Sequence, residues 1–407
     1  MTHSRGFLNS EPTASAARSR QDDAPRVLYW HFGRSGAGTK FTMELVRGTV
    51  ETGAARPFVA AVTDCELARR AHEEFPDTPL CEIRTFRGEK ETLAGKLAAA
   101  GALTRLPRIA RDVARFVRHH RIDMAICTMY SIWDLPVVHA LARQNVPFLL
   151  IAHDVHPHPG DSYPLRRLSM HRQIRAADAV VALSAHVRDQ VRHLRGRADE
   201  RIEVIPHGAF EFGAGRLRAA PVARPPRLLF FGRILAYKGL GVLLDACRLL
   251  QARGAPVELE IMGSGDLRPY ASKLAGLAGL HVTNRWIDDA EIGDALAATD
   301  IVVLPYIEAS QSGVAASAAT AGVPCVATPV GGLAEQVFDG RTGVVARGIT
   351  PDALAEAIQR LVEDPALYRR CSSGALAYAR EELAWGAIAA RVVEVAQRTA
   401  RTGSSAR

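Results

Sequence analysis

The chain has 407 residues, 48% of them hydrophobic and 23% charged, which is typical of a globular protein and excludes a wholly disordered or fibrous chain. No apolar run approaches the ~18–20 residues that a membrane span needs, and the first residues lack the apolar core of a secretory signal. The net charge is +8, of which +7 falls in residues 1–205 (30 Lys and Arg minus 23 Asp and Glu), so the first half is the part expected to meet an anionic surface.

The six cysteines lie far apart and never form a Cys-x-x-Cys pair. This spacing favours reduced, packed thiols over a disulfide framework or a zinc site. Together with the composition, it predicts a cytoplasmic protein of two or three domains.

Residues 1–24 are small, polar and without periodicity, which predicts a disordered tail. Over residues 25–210, short β-branched runs alternate with helical patterns, as in a parallel sheet covered by helices on both faces. The predicted strands are Val27–His31, Phe58–Val62, Met124–Cys127, Phe148–Ala152, Ala179–Leu183 and Ile202–Ile205. The predicted helices include Thr39–Glu51, Leu106–His120, Leu135–Gln144 and His186–Leu194.

A segment rich in Gly, Pro and Arg, 211–227, interrupts this pattern and predicts a linker. In residues 228–382 the predicted strands are Leu228–Phe231, Val257–Met262, Ile301–Leu304, Cys325–Ala327 and Gly343–Val345. The helices there include Leu240–Gln251, Ala290–Ala297, Gly313–Ala321, Asp352–Glu363 and Pro365–Arg380, and residues 383–407 hold a last helix, Trp385–Arg398, and a tail. The pattern predicts an α/β protein of two Rossmann-like domains in succession.

A glycine-rich loop leads from the first strand into a helix. Gly36 and Gly38 let the backbone approach a ligand there, and a helix N-terminus favours an anion. The order Gly38-Thr39-Lys40 lacks the Gly-Lys-Ser/Thr of a Walker loop, which argues against an ordinary ATPase. The alternative is a tight turn without a ligand.

Two cations, Arg233 and Lys238, follow the first strand of the second series. Open α/β sheets bind ligands beyond the carboxyl ends of their strands, so these charges are candidates to neutralise a leaving diphosphate without a metal. A pair of solvated surface charges is the alternative.

A loop of small residues follows the strand Ile301–Leu304 and leads into a helix. The residues that offer backbone donors at this helix N-terminus, a second anion cradle, are Ser310, Gln311, Ser312 and Gly313. Glu308 precedes them and is a candidate to hold a substrate hydroxyl or to stabilise positive charge, with a solvated glutamate as the alternative.

These loops together resemble the donor-binding half of glycosyltransferase family 4, the retaining enzymes of GT-B fold. The matching motifs are Gly232-Arg233 with Lys238-Gly239, then Gly263-Ser264-Gly265, then Pro305, Glu308 and Gly322-Val323-Pro324-Cys325-Val326-Ala327-Thr328. Residues 383–396 resemble the C-terminal tryptophan helix of that family. The first half matches more loosely, through the glycine loop, His153-Asp154 and Ile205-Pro206-His207-Gly208.

The resemblance implies a GT-B fold in which two Rossmann-like domains face each other across a cleft. It implies a retaining, hexosyltransferase-type enzyme that needs no metal or cofactor, because the nucleoside-diphosphate sugar is itself a substrate. The implied acceptor is a glycan or a lipid-linked glycan, as in polysaccharide or glycolipid synthesis, and nucleic acid is not an implied partner.

The resemblance also implies roles for single residues. Arg233, Lys238 and the backbone of 310–313 would hold the departing diphosphate, Glu308 would contact sugar hydroxyls or support positive charge, and His153 would orient the sugar from the other side. Four glycines in three loops would line the donor: Gly36, Gly38, Gly232 and Gly263.

One departure from the family pattern concerns the second of its two glutamates, which lies near the donor ribose. Its place falls on Ser317, and the loop after Glu308 is one residue longer than usual. A branch of the family with Gln-Ser-Gly in this loop is similar to residues 310–317. The nucleotide preference is therefore left open.

The segment after the strand Phe148–Ala152 contains Asp154 and three histidines, His153, His156 and His158. Their spacing is neither helical i, i+4 nor completed by a clear fourth ligand, so a metal site is not predicted. By resemblance, His153 faces the reacting sugar, and Asp154, His156 and His158 lie toward the acceptor. A loop histidine bonded to backbone is the alternative for His153.

The stretch 103–121 is an amphipathic basic helix. Its apolar positions, Leu103, Leu106, Ile109, Val113 and Phe116, are followed two residues later by Arg105, Arg108, Arg111, Arg115 and Arg118, which places the arginines on the opposite face. This arrangement predicts peripheral binding to an anionic surface such as the inner face of the cell membrane. An ordinary solvated face is the alternative.

Two other functions remain open at this stage. A GT-B sugar-nucleotide epimerase would bind the same donor without an acceptor. A catalytically silent GT-B binding protein is suggested by the missing second glutamate. A dinucleotide-dependent oxidoreductase is disfavoured because neither half has a clear Gly-x-Gly-x-x-Gly followed by a ribose-binding acid.

Overall fold

The structure is a computed structural model and describes residues 24–85, 101, 103–156, 164–196, 201–221 and 224–405. The predicted tail, apart from its last residue, lies outside these ranges, as does His158. Within them the chain forms two parallel sheets, each flanked by helices. The prediction of an α/β chain with two successive Rossmann-like units is confirmed.

The first sheet has seven strands in the order β3-β2-β1-β4-β5-β6-β7. The strands are β1 (Arg26–His31), β2 (Arg56–Val62), β3 (Leu80–Ile83), β4 (Met124–Cys127), β5 (Phe148–Ala152), β6 (Ala179–Ala182) and β7 (Ile202–Val204). The connecting helices are α1 (Ala37–Thr52), α2 (Glu66–Glu74), α3 (Leu106–His120), α4 (Leu135–Ala142), α5 (Pro164–Ala176) and α6 (Ala185–Arg195).

The second sheet has six strands in the order β10-β9-β8-β11-β12-β13. The strands are β8 (Arg227–Phe231), β9 (Glu258–Met262), β10 (Leu280–Thr283), β11 (Ile301–Leu304), β12 (Cys325–Ala327) and β13 (Gly343–Val345). The helices are α7 (Leu240–Ala252), α8 (Ala271–Leu274), α9 (Asp289–Ala298), α10 (Gly313–Thr320), α11 (Pro351–Glu363), α12 (Pro365–Glu382) and α13 (Trp385–Ser405).

The central strands are apolar along their whole length because helices cover both faces of each sheet. All residues of β4, β5, β6 and β11 are buried. The last helix, α13, does not stay with the second sheet: Ile388, Ala389 and Val392 are buried in the same core as β1, and α13 packs along α1. The chain therefore crosses between the domains twice, once after β7 and once before α13.

The sequence missed the short edge strands β3 and β10 and the helices α2, α5 and α8. Strand β10 is mostly exposed or half-buried, so it has no continuous apolar run. Helix α5 has no single apolar stripe for the periodicity to detect.

Helix α3 has the predicted orientation. Ile109, Val113 and Val117 are buried, and Leu106 and Phe116 are partly buried against the first core. The arginines on the other face are all exposed: Arg105, Arg108, Arg111, Arg115 and Arg118. The helix thus presents a basic face to solvent.

The six cysteines are all buried and unpaired, as their spacing predicts. In the part of the chain that the structure describes, no helix is both long and apolar enough to cross a bilayer.

Candidate active site

The candidate site lies where the strand order of each sheet reverses. Strand β1 pairs with both β2 and β4, and β8 pairs with both β9 and β11. The loops after β1 and β4, and after β8 and β11, diverge at these points and leave a crevice beyond the carboxyl ends of the strands. Both predicted anion cradles and both predicted cations belong to these loops.

The glycine loop after β1 wraps around the imidazole of His31. A Cβ at Gly38 would lie 2.7 Å from Met129 Sδ and 2.8 Å from His31 Cε1. The packing of these side chains therefore requires a glycine at this position. Helix α1 begins after Gly36 without a side-chain cap and without an acid in its first turn. The Gly36 amide donates to Glu66 Oε2 at 3.1 Å, and the amides of residues 37–39 have no partner within the helix, so they can meet an anion.

His153 lies at the end of β5 and is buried. Its Nε2 lies 2.8 Å from the carbonyl oxygen of Thr128. A carbonyl only accepts, so Nε2 carries the proton and Nδ1 is the free acceptor of the neutral ring. Burial lowers the pKa of His153, which keeps the ring neutral. His153 is therefore bonded to backbone, as in the alternative reading, and its role toward a sugar stays a prediction.

A second buried histidine, His207, lies in the segment between the domains. Its Nδ1 donates to the carbonyl of Gly208 at 2.6 Å, and its ring packs edge-on against Phe41 and Trp385. Burial and the nearby His153 lower the pKa of His207 to about 3. Its ring also lies beside the start of α10, because a Cβ on Gly313 would be 3.6 Å from Nε2.

On the second domain, Lys238 reaches back toward the end of β8. A Cβ on Gly232 would be 3.1 Å from Lys238 Nζ, and the ammonium lies 5.1 Å from the centroid of the Tyr306 ring. Burial and the neighbouring Arg233 lower the pKa of Lys238. Two cations near enough for one to lower the pKa of the other favour the binding of an anion at this edge of the sheet.

The turn that carries Lys238 is fastened to the loop that carries Glu308. The carbonyl of Tyr237 accepts from the amide of Ile307 at 2.8 Å. Gly239 has φ +69°, and a Cβ there would lie 1.8 Å from the carbonyl oxygen of Pro305, so only glycine fits. Glu308 is exposed at this junction. The structure thus brings Arg233, Lys238 and Glu308 to one edge of the second sheet.

The loop before α10 is held by side chains as well as by backbone. The amide of Ser312 donates to Gln336 Oε1 at 2.6 Å, and Ser312 Oγ caps the helix by accepting from the Ala315 amide. The amides of Ser312 and Ala315 are therefore not available to a phosphate, which leaves the amides of Gly313 and Val314 to open the helix. Gln311 Oε1 is buried without a protein partner, which marks a position for a ligand or water donor.

Ser317 lies on α10, where it is buried and donates its hydroxyl hydrogen to the carbonyl of Gly313 at 3.0 Å. The Ser317 hydroxyl is thus bonded inside its own helix. Gly263 packs directly on Gly232, because a Cβ there would lie 1.9 Å from the Gly232 carbonyl oxygen. These two glycines hold the ends of β8 and β9 together.

The two domains meet around this crevice. The pKa of the Tyr237 phenol, in the second domain, is raised mainly by burial. The nearby carboxylate of Asp154, in the first domain, raises it further. Lys40 Nζ forms an ion pair with Asp289 at 2.7 Å, and Trp286 lies across from Gly36. Asp154 and Gly36 of the first domain therefore face residues of the second domain across the crevice.

His156 is exposed, with its ring 5.4 Å from that of His171, and Asp154 is half-buried. Within the described ranges, no group of three or more His, Cys, Asp and Glu side chains is placed to hold a metal ion. His158 cannot be placed in this arrangement because it lies outside them.

Sequence reasoning missed four residues of the domain junction: Lys40, Trp286, Asp289 and Glu335. Their importance comes from contacts between domains, which no local pattern reveals. The helix after Ser184 has no acid in its first turn, so a carboxylate from elsewhere stabilises its N-terminus, but many helices of the chain share this feature and it does not single out the position.

Comparisons with known proteins agree with this geometry. The family model "Glycosyl transferases group 1" matches residues 225–364, and the model "Glycosyltransferase Family 4" matches residues 76–209. A D-inositol 3-phosphate glycosyltransferase of Xylanimonas cellulosilytica is 31% identical over 293 residues, which are 66% of this chain and 68% of that protein. One from Pseudarthrobacter chlorophenolicus is 28% identical over 364 residues, 82% of this chain and 84% of that protein.

Solved structures share the fold at lower identity. HepE of Anabaena, in complex with UDP and glucose, superposes with a TM-score of 0.68 at 20% identity and covers 92% of this chain and 100% of its own. Sucrose-phosphate synthase of Thermosynechococcus elongatus gives a TM-score of 0.69 at 18% identity, over 93% and 100% of the two chains. Fold, crevice and matched families together show that the chain belongs to the group 1, family 4 glycosyltransferases and is a glycosyltransferase of GT-B fold.

Proposed function

We propose that the protein transfers a hexosyl group from a nucleoside-diphosphate sugar to a glycan or lipid-linked acceptor, with retention of anomeric configuration and without a metal ion. The observation that carries the proposal is the convergence of Arg233, Lys238 and the first turn of α10 beside the buried, unpartnered Gln311 Oε1. The Anabaena protein, which shares the fold, is in complex with UDP, and this supports a nucleoside diphosphate as the class of ligand.

The chemistry asked of these residues is stabilisation of a leaving diphosphate. As the bond between the anomeric carbon and the phosphate oxygen breaks, negative charge grows on that oxygen. Arg233, Lys238 and the amides that open α10 would bind that charge in a partly desolvated crevice. Each such contact stabilises the transition state by about 3 kcal/mol. No metal is needed to supply the positive charge.

The sugar becomes cationic as the diphosphate leaves. Glu308 would hold its hydroxyls or support that charge, and His153, with Nδ1 as its free acceptor, would orient it from the first domain. In a same-face transfer, the departing phosphate oxygen takes the proton of the acceptor hydroxyl as the new glycosidic bond forms. The scheme therefore needs no separate base.

Retention is tested by slow hydrolysis of an α-linked donor in the absence of an acceptor. Proton NMR of the first released sugar, recorded before mutarotation, is expected to show the α anomer, with a rate unchanged by EDTA. A first product of β configuration would refute retention. Loss of turnover in EDTA would refute metal independence, and an isomerised nucleotide-sugar would indicate an epimerase.

We further propose that the protein binds peripherally at the inner face of the cell membrane through the exposed arginines of α3. These side chains lie opposite the buried Ile109, Val113 and Val117, so they are free to face a surface while the helix stays packed. Each arginine contributes about 1 kcal/mol beside anionic lipid, and salt weakens this attraction. Such a location suits a lipid-linked acceptor in polysaccharide or glycolipid synthesis.

Co-sedimentation with phosphatidylserine-containing and neutral vesicles tests this second proposal. The protein is expected to bind only the anionic vesicles and to be released by salt. A variant with glutamine at Arg108, Arg111, Arg115 and Arg118 is expected to lose binding. The matched control, glutamine at Arg347, Arg369, Arg370 and Arg380, removes four exposed charges from the second domain and is expected to retain it. Equal loss in both variants would refute the proposal.

A further inference from the structure

The N-terminus of α6, in the first domain, is held by the second domain. Ser184, buried at the N-cap, accepts from the Val187 amide at 3.2 Å and donates its hydroxyl hydrogen to the carbonyl of Ser310 at 2.8 Å. One hydroxyl therefore caps a helix of the first domain and fixes the start of the loop that precedes α10.

Glu335 of the second domain satisfies the next two amides of α6. The Ala185 amide donates to Oε2 at 2.6 Å, and the His186 amide donates to Oε1 at 2.8 Å. These amides have no partner within the helix, and its first turn contains no acid. A carboxylate that accepts from both completes the helix end and meets its positive dipole. We call Ser184, the amides of residues 185–186 and Glu335 the clasp.

Gln336, the residue after Glu335, binds the loop before α10. Gln336 Oε1 accepts from the Ser312 amide at 2.6 Å, and Gln336 Nε2 donates to the Ser312 carbonyl at 3.3 Å. The short turn Gly331–Glu335 leads into this residue, and the Gly332 amide donates to the carbonyl of Ala309 at 3.0 Å. Neighbouring side chains thus face two directions: one binds the first domain and the other fixes the loop before α10.

We propose, on the basis of the proposed glycosyl transfer, that Glu335 is a positioning residue that couples closure of the two domains to the order of the Ser310–Gly313 loop. When the clasp is closed, the loop presents the first amides of α10 to the diphosphate. By linkage, a diphosphate bound at the loop stabilises the closed clasp to the same extent. Glu335 does not touch the reacting atoms.

The direct test is amide hydrogen exchange of the unliganded full chain. In Glu335→Gln the side chain keeps one acceptor oxygen and turns an NH₂ toward the second amide, so the clasp loses its charge and one bond. Exchange of the peptides containing residues 185–186 and 312 is expected to rise at least about tenfold. Glu356→Gln, which changes an exposed carboxylate of α11, is the matched control and is expected to leave both peptides unchanged.

Two outcomes would overturn the proposal. Unchanged exchange at 185–186 in Glu335→Gln would show that the clasp does not hold the domains. Faster exchange there without any change at 312 would show that the clasp and the loop are not coupled. Ser184→Ala, which keeps Glu335 and removes the bond to Ser310, provides a second variant in which both peptides are expected to exchange faster.

Ligand and turnover measurements separate positioning from simple stability. Added UDP, GDP or ADP is expected to slow exchange at both peptides in the wild type, and Glu335→Gln is expected to raise the donor KM about tenfold with a smaller change in kcat. A fall confined to kcat would contradict a positioning role. If the wild type turned over no donor, the proposed function would fail, while the exchange of unliganded protein would still decide the clasp.

Discussion

Replacing His207 with asparagine removes a buried titratable group from the junction of the two domains. Burial and His153 hold the pKa of His207 at about 3, against 6.5 for the ordinary side chain. Below pH ~6.5 the His207 ring is protonated in the unfolded chain but stays neutral in the folded chain. The free energy of unfolding therefore falls as the pH falls. The linkage relation shows that His207 lowers the free energy of unfolding by about 2 kcal/mol near pH 5 and by almost nothing near pH 7.5.

Asparagine retains an N–H donor for the Gly208 carbonyl but does not titrate. The variant is expected to be less stable than the wild type near neutral pH, because it loses the ring contacts with Phe41 and Trp385. That deficit is expected to shrink by about 2 kcal/mol at pH ~5. Groups that do not interact with His207 cancel in the difference, including Asp134, whose pKa burial raises to about 7 and which titrates with the opposite sign.

Urea unfolding followed by tryptophan fluorescence measures this difference, since Trp385 packs on His207. His281→Asn, at an exposed histidine of the second domain, is the control and is expected to follow the wild-type pH dependence. Parallel pH dependence of the wild type and His207→Asn would refute the conclusion that His207 is buried as a neutral ring.

Five further substitutions, grouped in three predictions, test the donor side of the crevice. Arg233→Ala and Lys238→Ala are each expected to lower transfer about a hundredfold while circular dichroism shows an intact fold; near-normal turnover in either would place the diphosphate elsewhere. Glu308→Gln is expected to lower kcat more than Ser317→Ala, because the Ser317 hydroxyl is bonded within its helix, and the reverse order would refute this reading of the loop. Gly239→Ala is expected to cost ~3 kcal/mol or more of unfolding free energy, because its φ is +69° and a Cβ would meet the Pro305 carbonyl; a wild-type melting temperature would contradict this.

The sequence predicted those parts of the fold in which local pattern and burial agree. Strands such as Met124–Cys127 and Ile301–Leu304 are continuous apolar runs, and the structure has them at the same residues. Strand β10 was missed because its edge position leaves it largely exposed. The return of α13 to the first domain was missed because the apolar pattern of an amphipathic helix does not indicate which core the helix packs against.

For the site, sequence reasoning found the residues carried by single loops. Arg233, Lys238 and Glu308 follow predicted strands, and the topology of the sheet then brings them together. Residues that act between domains, such as Glu335 and Trp286, could not be found in this way. Their partners lie more than a hundred residues away or depend on the angle at which the domains meet. The glycine loop also shows that one motif serves two purposes, since Gly38 is required by His31 packing whether or not a ligand binds.

The central claim is that a nucleoside diphosphate binds in this crevice against Lys238 and the start of α10. Isothermal titration of UDP, GDP and ADP into the wild type and Lys238→Ala tests it without knowledge of the acceptor. At least one diphosphate is expected to bind the wild type, with affinity reduced at least about tenfold in the variant. Binding of none of the three, or equal affinity for both proteins, would contradict the assignment of the crevice as the donor site.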